Sequence, residues 1–301
     1  MFSYYNQNKD LLSLSRLYSS YLLAQLVHIP EGKRHQININ TFIRAVSMPK
    51  NPKGTILIIQ GGARHMNNNS YYIRLATAMI SQSEGTTPSW KNLASKNGVV
   101  GYFWNSSQFS GYRVFTFEKL GPMLNFEFAH DVEQALKFIR ANYPGPVGVI
   151  GFSLGGVLLW TYLGLGYDSA DVYIPVCCPL DLPRFFKIIN EHGVFKLVQT
   201  RTCRAFNAKD HLELLKLAGS SEEKHQIFMD EFIPKLNATI SKWHSKTIYV
   251  ISSDDPITSL NDLKLLEKEP QMVIVKNGWH CCMDSIWQSI QILTEQLNKL
   301  N

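Results

Sequence analysis

Residues 147–164 read VGVIGFSLGGVLLWTYLG, in which one serine separates two apolar runs. The run 147–151 has the length and composition of a buried strand, and the run that starts at Val157 is typical of a helix ending in glycine. Between them, Gly151, Ser153 and Gly155 form the pattern G-x-S-x-G, in which the serine occupies a strained turn between small neighbours. The stretch therefore predicts a strand, a sharp turn that exposes the Ser153 hydroxyl, and a helix.

Strand and helix patterns alternate on both sides of this turn. Apolar or alternating runs predict further strands at 41–49, 55–60, 112–117, 171–178, 246–252 and 271–275. Helical periodicity is found at 70–80, 128–143, 262–268 and 284–300. Because parallel strands are joined by helical crossovers, this order indicates an α/β protein with a mostly parallel central sheet flanked by helices.

The length of 301 residues is compatible with one domain that spans 1–301. Residues 1–40 are predicted to be an N-terminal helical extension, whose leucines suit either packing on the body or contact with a membrane surface. Strand patterns disappear over 181–243, where we expect a helical cap insertion within the domain. Its apolar side chains suit a lid over an acyl chain or ordinary core packing, and include Phe185, Phe186, Phe195 and Leu197. Residues 81–111 are predicted to be a long surface insertion.

The composition is that of a globular protein, since 45% of the residues are hydrophobic and 12% are aromatic. The 30 Lys and Arg residues exceed the 24 Asp and Glu residues but form no basic block, so nucleic-acid binding is not expected. We find neither a signal-peptide pattern nor the roughly 18 consecutive apolar residues that a membrane span requires. Five cysteines without a spaced framework indicate a reducing compartment, so we expect a cytoplasmic protein, with peripheral membrane contact left open.

A serine hydroxyl becomes a nucleophile when a neutral imidazole accepts its proton and a carboxylate orients that imidazole. The chain order expected after a G-x-S-x-G turn is Ser, then Asp or Glu, then His. Asp254 and Asp255 follow the predicted strand 246–252, and His280 follows the strand 271–275, with Gly278 allowing a tight approach. We therefore predict the triad Ser153, Asp255 and His280, with Asp254 left open as the acid in place of Asp255. We expect Asp254 or Asp262 to cap the following helix.

Two backbone N–H groups are expected to stabilise a developing oxyanion. Leu154 would begin the helix after Ser153, where negative charge is favoured, and Gly62 follows the strand 55–60, with Ala63 as the next choice. A cysteine nucleophile at Cys281 or Cys282 is disfavoured because neither follows such a turn. We expect no metal site, because Asp254, Asp255 and His280 lack a further spaced ligand, and no cofactor, because the chemistry requires none.

These motifs resemble the α/β-hydrolase fold, and within it the YheT-like branch. The similarity runs through the segments QGGARHMNNNSYYIRLA (60–76), GYRVFTFEKLGP (111–122), 131–164, VCCPLDL (176–182), DDPI (254–257) and GWH (278–280). Gln60 stands where the family has a histidine, Trp279 stands where it usually has a glycine, and EKLGP (118–122) replaces its Asn-Arg-Gly element. The resemblance implies a serine hydrolase of esters, including lipid esters.

The sequence thus favours an esterase that cleaves a small-molecule carboxylic ester through an acyl-enzyme intermediate. A protein of another class is the alternative: a catalytically silent member of the same fold that binds a partner or small ligand. The altered loop at Gln60 and the long insertion motivate this second hypothesis, because a fold alone does not establish an activity. The physiological substrate and the oligomeric state are not given by the sequence.

Overall fold

The structure is a computed structural model that describes residues 32–39, 41–59, 76, 80, 111–119, 126–191, 222–276 and 278–301. The strands are β1 (Arg34–Asn38), β2 (Thr41–Ser47), β3 (Gly54–Ile59), β4 (Tyr112–Lys119), β5 (Val147–Phe152), β6 (Val172–Val176), β7 (Ile248–Ser252) and β8 (Gln271–Val275). The α-helices are α1 (Phe126–Asn142), α2 (Leu154–Gly164), α3 (Leu182–Glu191), α4 (Glu222–Ala238), α5 (Ile240–Trp243) and α6 (Met283–Asn298). Short 3₁₀ helices lie at His244–Lys246 and Leu260–Leu265.

The eight strands form one sheet in the order β1-β2-β4-β3-β5-β6-β7-β8. β1 and β4 are antiparallel to β2. The six strands β4, β3, β5, β6, β7 and β8, in this order across the sheet, run parallel to one another. The carboxyl ends of these six strands therefore lie along one edge of the sheet. This architecture confirms the predicted α/β class with a mostly parallel sheet.

Helices cover both faces of the sheet. Leu57 and Val149 point to the face that packs against α1 and α2, and their neighbours Ile58 and Ile150 point to the face covered by α6. All six residues of β3 and of β5 are buried, which explains why these strands read as continuous apolar runs. Every residue of α2 is buried as well, so the helix after Ser153 is held from all sides.

The predicted helix at 262–268 is corrected to the 3₁₀ helix Leu260–Leu265. The Ser259 hydroxyl caps it by accepting the Asn261 N–H, and Leu266 returns to an extended conformation. The backbone bonds of this segment, from Asp262 N–H to the Ser259 carbonyl and from Leu266 N–H to the Leu263 carbonyl, both at 3.0 Å, join residues three apart, which is the 3₁₀ spacing. Ser259 therefore makes the capping contact that we expected of Asp254 or Asp262.

The end of the predicted N-terminal helical extension 1–40 is also corrected, because Arg34–Asn38 forms strand β1. Within this strand, His35 pairs with Ile43 of β2. Pairing with an antiparallel neighbour decides the conformation here, which the local pattern did not indicate. Residues 1–31 and Asn40 lie outside the described residues, as does the proposed insertion up to residue 110.

Helices α3, α4 and α5 occupy the described parts of the predicted cap insertion 181–243. Phe232 and Leu236 of α4 are buried in the core cluster that contains α2, and Phe185 of α3 is buried there too. These helices thus contribute to the body of the protein. The side chain of Phe186 and residues 192–221 lie outside the described part, so the role of the insertion as a cap stays a prediction. Among the helices described, none is long and apolar enough to cross a membrane.

Candidate active site

Ser153 lies on the turn between β5 and α2 with φ 52° and ψ −120°. This is left-handed backbone, which costs an L-residue conformational energy and persists only where its surroundings fix it. The Ser153 N–H donates to the Val176 carbonyl at 2.9 Å, and the Ser153 carbonyl accepts from the N–H groups of Gly156 and Val157 at 2.9 and 3.2 Å. Backbone bonds on both sides therefore hold the predicted sharp turn.

Two glycines allow this turn to pack. A Cβ on Gly151 would lie 2.5 Å from the Gly155 carbonyl oxygen, and a Cβ on Gly156 would lie 2.5 Å from the Cβ of Cys178. Gly151 was identified from the sequence, but Gly156 stands outside the G-x-S-x-G pattern and was missed. The doubled glycine after Leu154 is the signal that could have indicated it.

His280 connects Ser153 to Asp255. The imidazole Nε2 lies 2.9 Å from Ser153 Oγ, and Nδ1 lies 2.9 Å from Asp255 Oδ2. Because an ionised carboxylate only accepts hydrogen bonds, Nδ1 carries the proton and Nε2 is left to accept the serine hydroxyl. The side chains of His280 and Asp255 are 5% and 0% exposed, so this chain of hydrogen bonds is shielded from water.

The turn after β7 decides which aspartate faces the imidazole. Asp255 Oδ1 accepts the backbone N–H groups of Ile257 and Thr258 at 2.9 and 3.1 Å, which aims Oδ2 at His280. Asp254 points elsewhere: its Oδ1 accepts the Ser252 hydroxyl at 2.5 Å and the Trp279 N–H at 2.8 Å. The structure thus brings the three predicted side chains together, and it gives Asp254 a contact that the sequence did not reveal.

Arg184 of α3 joins the predicted cap region to this turn. Its guanidinium donates to the Ile257 carbonyl at 3.2 Å and pairs with Asp262 at 3.0 Å. Burial raises the pKa of the Asp262 carboxyl above its ordinary value, and the hydrogen bond and charge of Arg184 counter this effect only in part. The loop that carries Asp255 is therefore braced from the helix α3.

Leu154 is the first residue of α2, so its N–H has no acceptor four residues earlier within the helix. It lies next to Ser153 at the positive end of the helix, as predicted for an oxyanion donor. Gly62, the second predicted donor, lies outside the described residues, together with Ala63 and Gln60. The second half of the oxyanion site therefore stays a prediction.

Four cysteines lie near this edge of the sheet, and all are buried thiols that form no disulfide: Cys177, Cys178, Cys281 and Cys282. Burial raises the pKa of the Cys178 and Cys281 thiols well above the ordinary value. A protonated thiol is a poor nucleophile, so these two side chains are unsuited to attack a substrate. The side chain that contacts the His280 imidazole at Nε2 is the hydroxyl of Ser153.

No family model matches the chain, and no curated protein sequence matches it. Solved structures are similar to it in fold. An arylesterase structure shares 16% identity with a TM-score of 0.54, covering 95% of this chain and 90% of its own. An esterase from Pyrobaculum calidifontis shares 12% identity with a TM-score of 0.53, covering 97% of this chain and 92% of its own.

A third similar structure is that of Est1E from Butyrivibrio proteoclasticus with bound ferulic acid. It shares 11% identity with a TM-score of 0.53, and the match covers 89% of this chain and 99% of that one. Together with the sheet order and the turn at Ser153, these likenesses show that the chain has the α/β-hydrolase fold. The narrower likeness to the YheT-like branch stays a prediction.

Proposed function

We propose that this chain of α/β-hydrolase fold is a serine hydrolase that cleaves carboxylic esters, with Ser153 as nucleophile, His280 as general base and Asp255 as the orienting acid. The observation that carries the proposal is the hydrogen-bonded chain from Ser153 Oγ through both imidazole nitrogens to Asp255, with 2.9 Å at each step. The Ser153 hydroxyl lies on a strained turn at the carboxyl ends of the parallel strands, where ligands of open α/β sheets bind.

The reaction follows from this geometry. Nε2 of His280 takes the Ser153 proton while Oγ attacks the ester carbonyl carbon, and the electron pair of the broken π bond moves to the carbonyl oxygen. The N–H groups of Leu154 and Gly62 would stabilise that oxyanion. The imidazolium then protonates the leaving alcohol as the ester C–O bond breaks, and water releases the acyl group from Ser153 by the same steps.

Esters are the first substrate class to test for two reasons. The resemblance of the sequence motifs implies ester hydrolysis, and two of the similar structures carry the name esterase. Their low identity transfers the fold alone, so the acyl group and the alcohol of the substrate must be found by assay. The proposal requires neither a metal nor a cofactor, and its partner is a small-molecule ester encountered in the cytoplasm.

A fluorophosphonate probe tests the proposal directly, because it labels a serine only when a neighbouring base activates the hydroxyl. We expect the folded wild type to be labelled, and Ser153→Ala and heat-denatured protein to remain unlabelled. Ser241→Ala is the matched control, because Ser241 is an exposed surface serine whose loss should leave labelling unchanged. Parallel turnover of p-nitrophenyl esters from acetate to palmitate reports the preferred acyl length, and Ser153→Ala should lower kcat by at least about 10⁴-fold.

Absence of labelling in folded wild type would refute a constitutively active hydrolase. The alternative, a catalytically silent binding protein, predicts that result together with an intact thermal unfolding transition. Labelling that survives in Ser153→Ala would place the reactive hydroxyl elsewhere and would also contradict the proposal.

A further inference from the structure

We propose that Asp254 is a positioning residue that fixes the backbone next to His280, an inference that rests on the proposed function. Its carboxylate Oδ1 accepts the Trp279 N–H at 2.8 Å, one peptide before the imidazole. The Asp255 carboxylate contacts the imidazole ring itself at 2.9 Å. The two adjacent aspartates thus have different roles. Asp255 orients the imidazole ring, and Asp254 holds the backbone next to His280.

The loop around His280 needs such an anchor because its backbone is strained. Trp279 has φ 41° and Cys281 has φ 53°, so residues with bulky or polar side chains adopt left-handed backbone on both sides of the histidine. This conformation is costly for residues other than glycine and persists only when surrounding contacts determine it. A return of Trp279 to ordinary φ would rotate the peptide before His280 and move the imidazole away from Ser153.

The N–H and carbonyl groups of the loop are held from different sides. The Gly278 carbonyl accepts the Ser285 hydroxyl at 3.2 Å and the Cys282 N–H at 3.1 Å, and the Trp279 carbonyl lies 3.8 Å from the Cys177 thiol. Asp254 supplies an oxygen acceptor on the opposite, N–H side of the Trp279 peptide. At 2.8 Å this contact has the length of a well-formed N–H···O hydrogen bond, so it restrains the peptide.

Asp254 is itself anchored to both strands that deliver the acid and the base. The Ser252 hydroxyl at the end of β7 lies 2.5 Å from Asp254 Oδ1 and 3.2 Å from the carbonyl of Val275 at the end of β8. Gly278 packs against the same hydroxyl, since a Cβ at this position would lie 3.0 Å from Ser252 Oγ. Through Ser252, the Asp254 carboxylate therefore connects the ends of β7 and β8 to the loop that carries His280.

Three full-length variants separate the roles of the two aspartates. Asp254→Asn keeps an oxygen that can accept from Trp279 and Ser252, so we expect kcat within about threefold of wild type. Asp254→Ala removes that acceptor, and a displacement of the imidazole by roughly 1 Å should lower kcat about 100-fold while KM changes less than about twofold. Asp255→Asn, the matched control with the same chemistry, should lower kcat by about 10⁴-fold because the wrong imidazole tautomer is favoured.

Wild-type kcat in Asp254→Ala, or an equal loss in Asp254→Asn and Asp254→Ala, would overturn the inference. Thermal unfolding checks that each variant is folded. If Asp254→Ala does not fold, Ser252→Ala takes its place, and we expect a loss in kcat of about 10-fold with KM retained, whereas unchanged kcat would contradict the anchor.

A readout that does not depend on activity separates this inference from the proposed function. The imidazole Nδ1–H that bonds Asp255 should give a resolved downfield proton resonance in NMR spectra. We expect Asp254→Asn to retain this resonance, and Asp254→Ala to shift or broaden it even if wild type proves inactive on every ester. An unaltered resonance in Asp254→Ala would refute the positioning role, whereas failure of probe labelling in wild type would refute the hydrolase alone.

Discussion

Gly151→Ala is the substitution that most directly tests whether the turn at Ser153 is set by backbone packing. The new Cβ would lie 2.5 Å from the Gly155 carbonyl oxygen and 3.0 Å from the Cα of Gly156, both backbone atoms of the first turn of α2. Ordinary contacts need roughly 3.5 Å, so the start of α2 must move by about 1 Å relative to β5. Overpacking of this kind costs about 1–3 kcal/mol of stability, and a misplacement of about 1 Å at the nucleophile lowers kcat about 100-fold.

Gly148→Ala is the matched control on the same strand. Its Cβ would lie 2.6 Å from Leu293 Cδ1, the end of a side chain that can rotate away, and it would contact α6 instead of the turn. We expect chemical denaturation to show a smaller loss of stability in Gly148→Ala and p-nitrophenyl ester turnover to stay near the wild-type rate. Full turnover in Gly151→Ala would refute the packing argument, as would equal losses of activity in both variants.

Two further predictions follow from buried titratable groups. Burial raises the pKa of Asp262 above the ordinary 3.8, so the folded state binds its proton more tightly, and wild type should lose stability relative to Asp262→Asn as pH rises above about 4. Denaturation between about pH 4 and pH 7 measures this loss, with Asp230→Asn on the exposed face of α4 as control. A wild type that gains stability relative to Asp262→Asn over this range would contradict the prediction. Burial raises the pKa of the Cys178 and Cys281 thiols well above the ordinary value, so maleimide should modify these thiols only in denaturant. Mass spectrometry of the tryptic peptides that contain them measures the modification. Modification in the folded protein at the rate of a free thiol, measured with glutathione as control, would show that these thiols are accessible.

The sequence predicted those parts of the site that a local pattern encodes. The run from 147 to 164 contains strand, turn and helix within one stretch, so the position of Ser153 could be read without knowledge of distant residues. The chain order of Ser153, Asp255 and His280 follows from the order of strands in the sheet. Between Asp254 and Asp255 the sequence offered two carboxylates, and the structure distinguishes them by the turn that delivers the N–H groups of Ile257 and Thr258 to Asp255.

Contacts between segments far apart in the chain could not be read in this way. The hydrogen bond from the Trp279 N–H to Asp254 joins residues 25 positions apart. Its donor is a backbone N–H, which nearly every residue has, so the residue types do not indicate it. The same holds for the packing of Gly156 against Cys178, since a glycine next to a thiol is visible only once α2 lies over β6. For β1, pairing with β2 decided the conformation, whereas local pattern had extended the helical segment to residue 40.

Strain in the described part of the chain is concentrated at one edge of the sheet. The non-glycine residues there with positive φ are Ser153 after β5, Cys177 after β6, and Trp279 and Cys281 after β8. The three loops also hold one another: the Val176 carbonyl accepts the Ser153 N–H at 2.9 Å and lies 3.7 Å from the Cys281 thiol, while the Cys177 thiol lies 3.8 Å from the Trp279 carbonyl. Because each strained turn is restrained by its neighbours, no single loop can relax without disturbing the others. The contacts between these loops therefore keep the serine and the imidazole within hydrogen-bond distance. The buried regular strands behind the loops offset the conformational energy of the strained turns.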